Sequence, residues 1–262
     1  MPQPSEEEKS PTIYSTVFEE ENSLISQPHP QITTVKSQPW YCKYSPPYFI
    51  LIISFFELVI FGVANKDISG SLRCDPNKRK QIWRFFTYMF LHSNLVHVVL
   101  NVFTQCLFAF ILEQNKSSIR VGIVYLLSGV VGALTATCLR RDLVVGASAG
   151  VYALLISYLS RIILNFNSTK HKAWKCLAVL IIVASDVTYY FINSSYKPNL
   201  VTISEGAHIG GAVSGFLLGL ILYKSYDKES TTRNKVIRVF ALIVFSISVI
   251  TLLIINFQLS SR

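Results

Sequence analysis

His97 and Asn101 stand four residues apart, so any helix that contains them carries both on one face. His92 lies just ahead of them. Gly146-Ala147-Ser148-Ala149-Gly150 sets a hydroxyl between two glycines, and Tyr152 follows Ser148 by four residues, again one helix face. Gly206-Ala207-His208-Ile209-Gly210-Gly211 puts an imidazole ahead of glycines that recur at 211, 215 and 219. A serine and a histidine brought within hydrogen-bond reach are the smallest unit that activates a hydroxyl as a nucleophile. Placed at the start of a helix, Ser148 would also face free N–H groups and a dipole that favour developing negative charge.

Each of these residues also has a plainer reading. Histidine, asparagine and serine in an apolar bundle commonly bond one helix to its neighbour, and glycines every four residues simply let another helix come close. Gly-x-Ser-x-Gly also occurs at nucleophile elbows, but those need a strand-to-helix turn and no strand pattern precedes Ser148. His92, His97 and His208 could share a metal, yet no carboxylate or cysteine completes a ligand set, so no metal and no cofactor is expected. The five cysteines show neither a CxxC nor a regular spacing, which argues against a disulfide framework.

The elements that must position these side chains are membrane helices. Hydrophobic residues make up 51% of the 262 and charged residues only 15%, with a mean hydropathy of +0.41. Soluble domains carry about 25% charge, so neither a soluble globule nor a disordered chain fits. Seven apolar runs of roughly 17 residues or more, the length that spans a hydrocarbon core, fall near 48–64, 95–112, 121–139, 147–164, 174–192, 207–223 and 239–255. In lipid each must be a helix, because an unpaired backbone group finds no water there. Glu57, His97, Asp186 and His208 stand out among the ionisable residues inside these runs, with Asn101 and Gln105 as polar neighbours. Such residues mark function by default.

The net charge is +9, from 24 basic and 15 acidic residues. Residues 1–47 are acidic and rich in Ser, Pro, Glu and Gln; they read as a disordered cytoplasmic tail with no signal or transit peptide. The bases fall in the gaps between apolar runs, which points to topology rather than nucleic acid. A cytoplasmic N-terminus puts 14 bases on the cytoplasmic side and 10 on the far side, six of those in the long loop after the first run. That loop, with its aromatics, is expected to be partly folded at the membrane surface.

Taken in order, the motifs resemble the rhomboid family of intramembrane serine proteases. The match runs from about 48 to 219: Trp83-Arg84; His92, His97 and Asn101; Glu113; Gly146-Ala147-Ser148; Tyr152; and Ala207-His208-x-x-Gly211-x-x-x-Gly215. Ala149 departs from the glycine many relatives carry. An added seventh run resembles the secretase-type branch of eukaryotic secretory membranes. The resemblance implies an all-α polytopic bundle of seven transmembrane helices: a six-helix core over 48–225, then a linker and seventh helix over 226–262. It implies Ser148 as nucleophile, His208 as base and then acid, and His97, Asn101 and the Ser148 N–H as oxyanion hole. Tyr152 would stack on His208, Gly146 and Gly150 would let spans four and six approach, Glu57 and Glu113 would brace helix contacts, and Trp83-Arg84 would anchor the first loop at the interface. Asp186 reads as structural. Substrates would be single-pass membrane proteins, growth-factor precursors among them, cut near the lumenal or extracellular end of their membrane segment, in the secretory pathway or plasma membrane. The alternatives are a non-catalytic relative that binds membrane clients, whose kind typically lacks the Ser or the His, and a transporter, which would show repeats or broken helices.

Overall fold

The computed structural model describes residues 46–113, 118–140, 143–196, 204–227 and 231–260. All but the last two residues of the expected tail fall outside them, as does the side chain of Asp186. The described helices are α1 (Tyr48–Val63), α2 (Lys66–Leu72), α3 (Arg84–Thr87) with a 3-10 turn at Tyr88–Phe90, α4 (Leu95–Glu113), α5 (Ser118–Leu139), α6 (Ser148–Leu164), α7 (Lys172–Tyr196), α8 (Glu205–Leu222) and α9 (Thr231–Ser260). Six of the seven long ones coincide with apolar runs to within a few residues, and α9 contains the seventh run but extends beyond it at both ends. Four of them, α4, α5, α8 and α9, are long and apolar enough to cross a membrane, and α1 and α6 are shorter apolar helices of 16 and 17 residues.

Helix α8 is the hub, packed mainly against α6 and α5; α9 lies on α8 and α5, and α1 on α4 and α5. Small residues set the α8 contacts. A Cβ at Gly211 would collide with the Ala149 carbonyl, one at Gly215 would lie 2.6 Å from the Ala153 carbonyl oxygen, and one at Gly219 would lie 2.9 Å from Ser160 Cβ. So α8 and α6 meet backbone to backbone, the close approach that small residues permit. The expectation for Gly146 and Gly150 is corrected here. Gly146 faces His97 on α4 and Gly150 faces the Tyr125 ring on α5. The glycines of α8 meet Ala149 and Ala153 instead.

The loop between α1 and α4 is folded. Cys74 and Val144 pair as an antiparallel bridge, with N–H···O distances of 3.0 Å in both directions. The Gly146 N–H donates to the Tyr88 carbonyl at 3.0 Å, and the Tyr88 hydroxyl donates to the Gly129 carbonyl at 2.8 Å. The loop therefore grips the segment that leads into α6. Arg84 is buried inside it, donating to the Gly70 and Arg73 carbonyls at 2.8 and 2.9 Å, while Trp83 is half exposed.

A third polar assembly lies inside the bundle. Glu57 is fully buried and accepts from Gln105 Nε2 at 2.7 Å and from the Tyr125 hydroxyl at 2.8 Å, which joins α1, α4 and α5. Burying such a carboxyl is tolerable only when its oxygens are bonded. Glu113 is buried at the other end of α4 and accepts from the Ser118 hydroxyl.

Candidate active site

Ser148 is the first residue of α6, and no side chain caps that helix end. The N–H groups of the first turn are therefore open to a ligand. Gly146, two residues earlier, has φ +116°, a conformation costly for any side chain. That turn swings the chain from the Cys74 bridge into the helix and leaves Ser148 at the junction.

His208 stands in the first turn of α8, which Ser204 caps by accepting from the Ala207 N–H at 3.3 Å. His208 Nε2 and Ser148 Oγ are 2.7 Å apart. The Tyr152 ring stacks on the imidazole, with centroids 4.4 Å apart and planes 20° from parallel. The stack limits ring rotation and so holds Nε2 on the hydroxyl. Gly132 of α5 sits behind both residues: a Cβ there would lie 2.6 Å from the Ala149 methyl and 2.7 Å from the Ala207 carbonyl. Three backbones thus meet within one residue of Ser148 and His208. The Ala149 methyl occupies the space that Gly132 leaves open.

A donor pair faces the serine from α4. A Cβ on Gly146 would meet His97 Nε2 at 2.9 Å and Asn101 Nδ2 at 3.9 Å, so both side chains converge on the turn before Ser148. Asn101 is buried and its Nδ2 has no hydrogen-bond partner among the described residues. An unmade bond of that kind costs about 1–3 kcal/mol, which a developing oxyanion would relieve. Ser93 Oγ lies 3.1 Å from His97 Nδ1. With the hydroxyl donating, the imidazole proton stays on Nε2, the nitrogen that faces Gly146.

His92 packs edge-on against the His97 ring, centroids 5.1 Å apart, with both its ring nitrogens buried and the Phe90 backbone within hydrogen-bonding reach. Burial and then the neighbouring His97 pull its pKa down to about 3, so it is neutral at physiological pH. Cys74, beside the site in the loop bridge, has its thiol pushed up to about 12 by burial, so it is inert.

Comparison with known proteins shows the family. Residues 79–225 match the Rhomboid domain family model. The chain belongs to the rhomboid family. It is 32% identical over 200 residues to Rhomboid-related protein 2 of Mus musculus, which covers 70% of this chain and 66% of the relative. It is 31% identical over 204 residues to Rhomboid-related protein 3 of Homo sapiens, 70% of this chain and 50% of that one. With RHOMBOID-like protein 6, mitochondrial, of Arabidopsis thaliana the identity is 36% over 141 residues, 53% and 43% of the two chains. The chain thus spans between 43% and 66% of the length of these relatives. The family is a helical membrane bundle of the intramembrane protease type, so this rhomboid chain is an integral membrane protein.

Sequence reasoning misses two contributors: Gly132, one of many small residues in α5, and Tyr125, whose hydroxyl donates to Glu57 while its ring backs Gly150. The only available signal for Tyr125 is a hydroxyl in an apolar run that also holds Gly122 and Gly129.

Proposed function

We propose that this chain is an intramembrane serine endopeptidase that cuts single-pass transmembrane proteins with a Ser148–His208 dyad. The observation that carries the reading is the 2.7 Å approach of His208 Nε2 to Ser148 Oγ at the heads of two helices. In this reading His208 takes the hydroxyl proton as Ser148 Oγ bonds to the scissile carbonyl carbon. The carbonyl oxygen becomes an oxyanion, met by His97, Asn101 and the Ser148 N–H. Removing one such donor typically costs about 100- to 1,000-fold in rate. The protonated His208 then gives its proton to the leaving amine as the C–N bond breaks. Water, deprotonated by His208, attacks the acyl-enzyme and releases the acid.

Peptide hydrolysis needs water, and the dyad sits at helix ends rather than mid-span, which is where water can reach it. With the N-terminus in the cytoplasm, three crossings put this end on the lumenal or extracellular side. Substrates would be cut near that end of their membrane segment, growth-factor precursors being one class, in membranes of the secretory pathway or plasma membrane. The deciding experiment is co-expression with a tagged single-pass substrate. Cleavage by wild type and none by Ser148→Ala supports the protease. Equal substrate capture with no cleavage by either supports a client-binding relative. Glycosylation acceptors placed near Lys197 and, separately, near Lys170 test orientation: modification at 170 alone inverts it.

A further inference from the structure

Helix α9 is 30 residues of mostly apolar, outward-facing side chains, yet two amides in it are buried, Asn234 near its start and Asn256, 5% exposed, near its end. Its Oδ1 accepts from the Thr137 hydroxyl at 2.8 Å and from Arg79 Nε at 3.3 Å, and its Nδ2 donates to the Leu134 carbonyl at 3.1 Å and to Cys138 Sγ at 2.9 Å. Arg79 completes a clasp. Its other two nitrogens donate to the Pro76 and Thr137 carbonyls, each at 2.6 Å. One guanidinium therefore ties the outer helix, the C-terminal end of α5 and the first loop together, a fork geometry that lysine does not supply.

Two short paths lead from this clasp to the two halves of the dyad. Pro76 belongs to the turn closed by the Lys78 N–H on the Asp75 carbonyl at 2.9 Å, immediately after Cys74. Cys74 is bridged to Val144, four residues before Ser148. On the other side, Thr137 adjoins Ala136, whose Cα would lie 2.9 Å from a Cβ on Gly206, two residues before His208. The clasp thus fixes the loop arm that leads to the serine and the helix arm that backs the histidine.

We propose that Asn256 is a positioning residue for the dyad, acting through Arg79 and Thr137, so that the C-terminal helix sets the geometry of a site it does not touch. This rests on the protease reading. The other end of α9 supplies the control. Asn234, also buried, donates to the Leu164 carbonyl at 3.1 Å and to Ser225 Oγ at 2.7 Å, fastening the helix at the far end of α6. Both asparagines attach α9, Asn256 beside the arms that lead to the dyad and Asn234 at the end of α6 farthest from Ser148.

The test compares Asn256→Leu, Asn234→Leu and Arg79→Gln in the full chain in detergent, with a tagged single-pass substrate at saturating and limiting concentration, well below each Tm. Displacing a dyad by a fraction of an ångström should lower kcat roughly 10- to 100-fold with KM within about twofold. That result is expected of Asn256→Leu and Arg79→Gln, with the double variant no worse than the worse single. Asn234→Leu should lower Tm but leave kcat unchanged. Unchanged kcat in Asn256→Leu, or an equal loss in Asn234→Leu, overturns the proposal. If Asn256→Leu fails to fold, Arg79→Gln decides alone by the same criteria. Absence of cleavage by wild type removes the protease reading and this inference with it, whereas active wild type with an indifferent Asn256→Leu removes the inference only.

Discussion

The α6–α8 seam and the α9 attachment solve the same problem, holding two helices together, by opposite means. The seam rests first on backbone contact: Gly211 and Gly215 lie against the backbone of Ala149 and Ala153, and lower down the Ser160 hydroxyl donates to the Phe216 carbonyl at 2.7 Å. Helix α9 has only 11% of its apolar window buried, against 67% for α5, and is fastened by the polar clusters around Asn234 and Asn256. The difference follows from what each contact must hold. Ser148 and His208 need a fixed separation, and backbone against backbone leaves no rotamers to relax. In lipid, where apolar surface gains nothing by leaving one apolar neighbour for another, an outer helix is placed by hydrogen bonds.

The largest expected effect comes from breaking the seam. Gly211→Val adds atoms where the Ala149 carbonyl stands, and backbone cannot yield as a side-chain end does. Cleavage should fall to background, with a drop in Tm, because α8 must shift and carry His208 with it. Gly62→Ala is the matched control: nothing lies within 4 Å of the added Cβ, so activity and Tm should stay at wild-type values. A functional Gly211→Val enzyme would show that the seam tolerates separation and that side chains set the dyad distance after all.

Removing the donor opposite the seam is next. Asn101→Ala should lower kcat about 100- to 1,000-fold with little change in KM, because the bond is made to the oxyanion and not to the bound ground state. Its Nδ2 has no partner among the described residues, so Tm should hold or rise. A raised KM with normal kcat would instead place Asn101 in substrate binding.

How far the sequence discloses all this depends on the kind of contact. The seven long helices are legible because lipid demands long apolar helices, and the limits of six of them lie within a few residues of the apolar runs. The seventh differs. The run at 239–255 belongs to a helix over Thr231–Ser260, since its polar start is helical too, with Arg233, Asn234 and Arg238 bonded to carbonyls of Ile163, Leu164 and Tyr223. Asn256 falls one residue beyond that run and escapes notice. The pairing of Cys74 with Val144 is a contact between backbones 70 residues apart, with no side-chain signature. Glycines announce a close approach but not the partner, which is why Gly146 and Gly150 are misassigned to the seam. The types and spacing of Ser148, His208, His97 and Asn101 are readable because their chemistry is out of place in lipid. The Glu57–Gln105–Tyr125 cluster is half readable: the two residues with the most polar heads stand out, the tyrosine does not.

The smallest effect distinguishes the two ends of α6 by acid. His92, at the active-site end, is held neutral, with a pKa of about 3 against an ordinary 6.5. The unfolded chain takes up a proton below 6.5 that the folded chain refuses, so this end loses stability as pH falls from 6.5 towards 3, and is unaffected above 6.5. Asp227, at the other end, accepts from the Ser168 hydroxyl at 2.5 Å and from the Asn167 and Ser168 N–H groups at 2.9 and 3.1 Å. These bonds, led by the Ser168 hydroxyl, hold its carboxyl below the ordinary 3.8. Its contribution is complete above pH 3.8 and is lost only as pH falls through the lower folded value. Between pH 6.5 and 4 the two groups therefore separate. His92→Gln should flatten the decline of Tm across that window, while Asp227→Asn should lower Tm by a similar amount at pH 7 and pH 5. Melting curves of the purified chain at pH 7, 6, 5 and 4 read both slopes. An unchanged slope in His92→Gln would mean that the imidazole takes up its proton in the folded site as readily as in the unfolded chain.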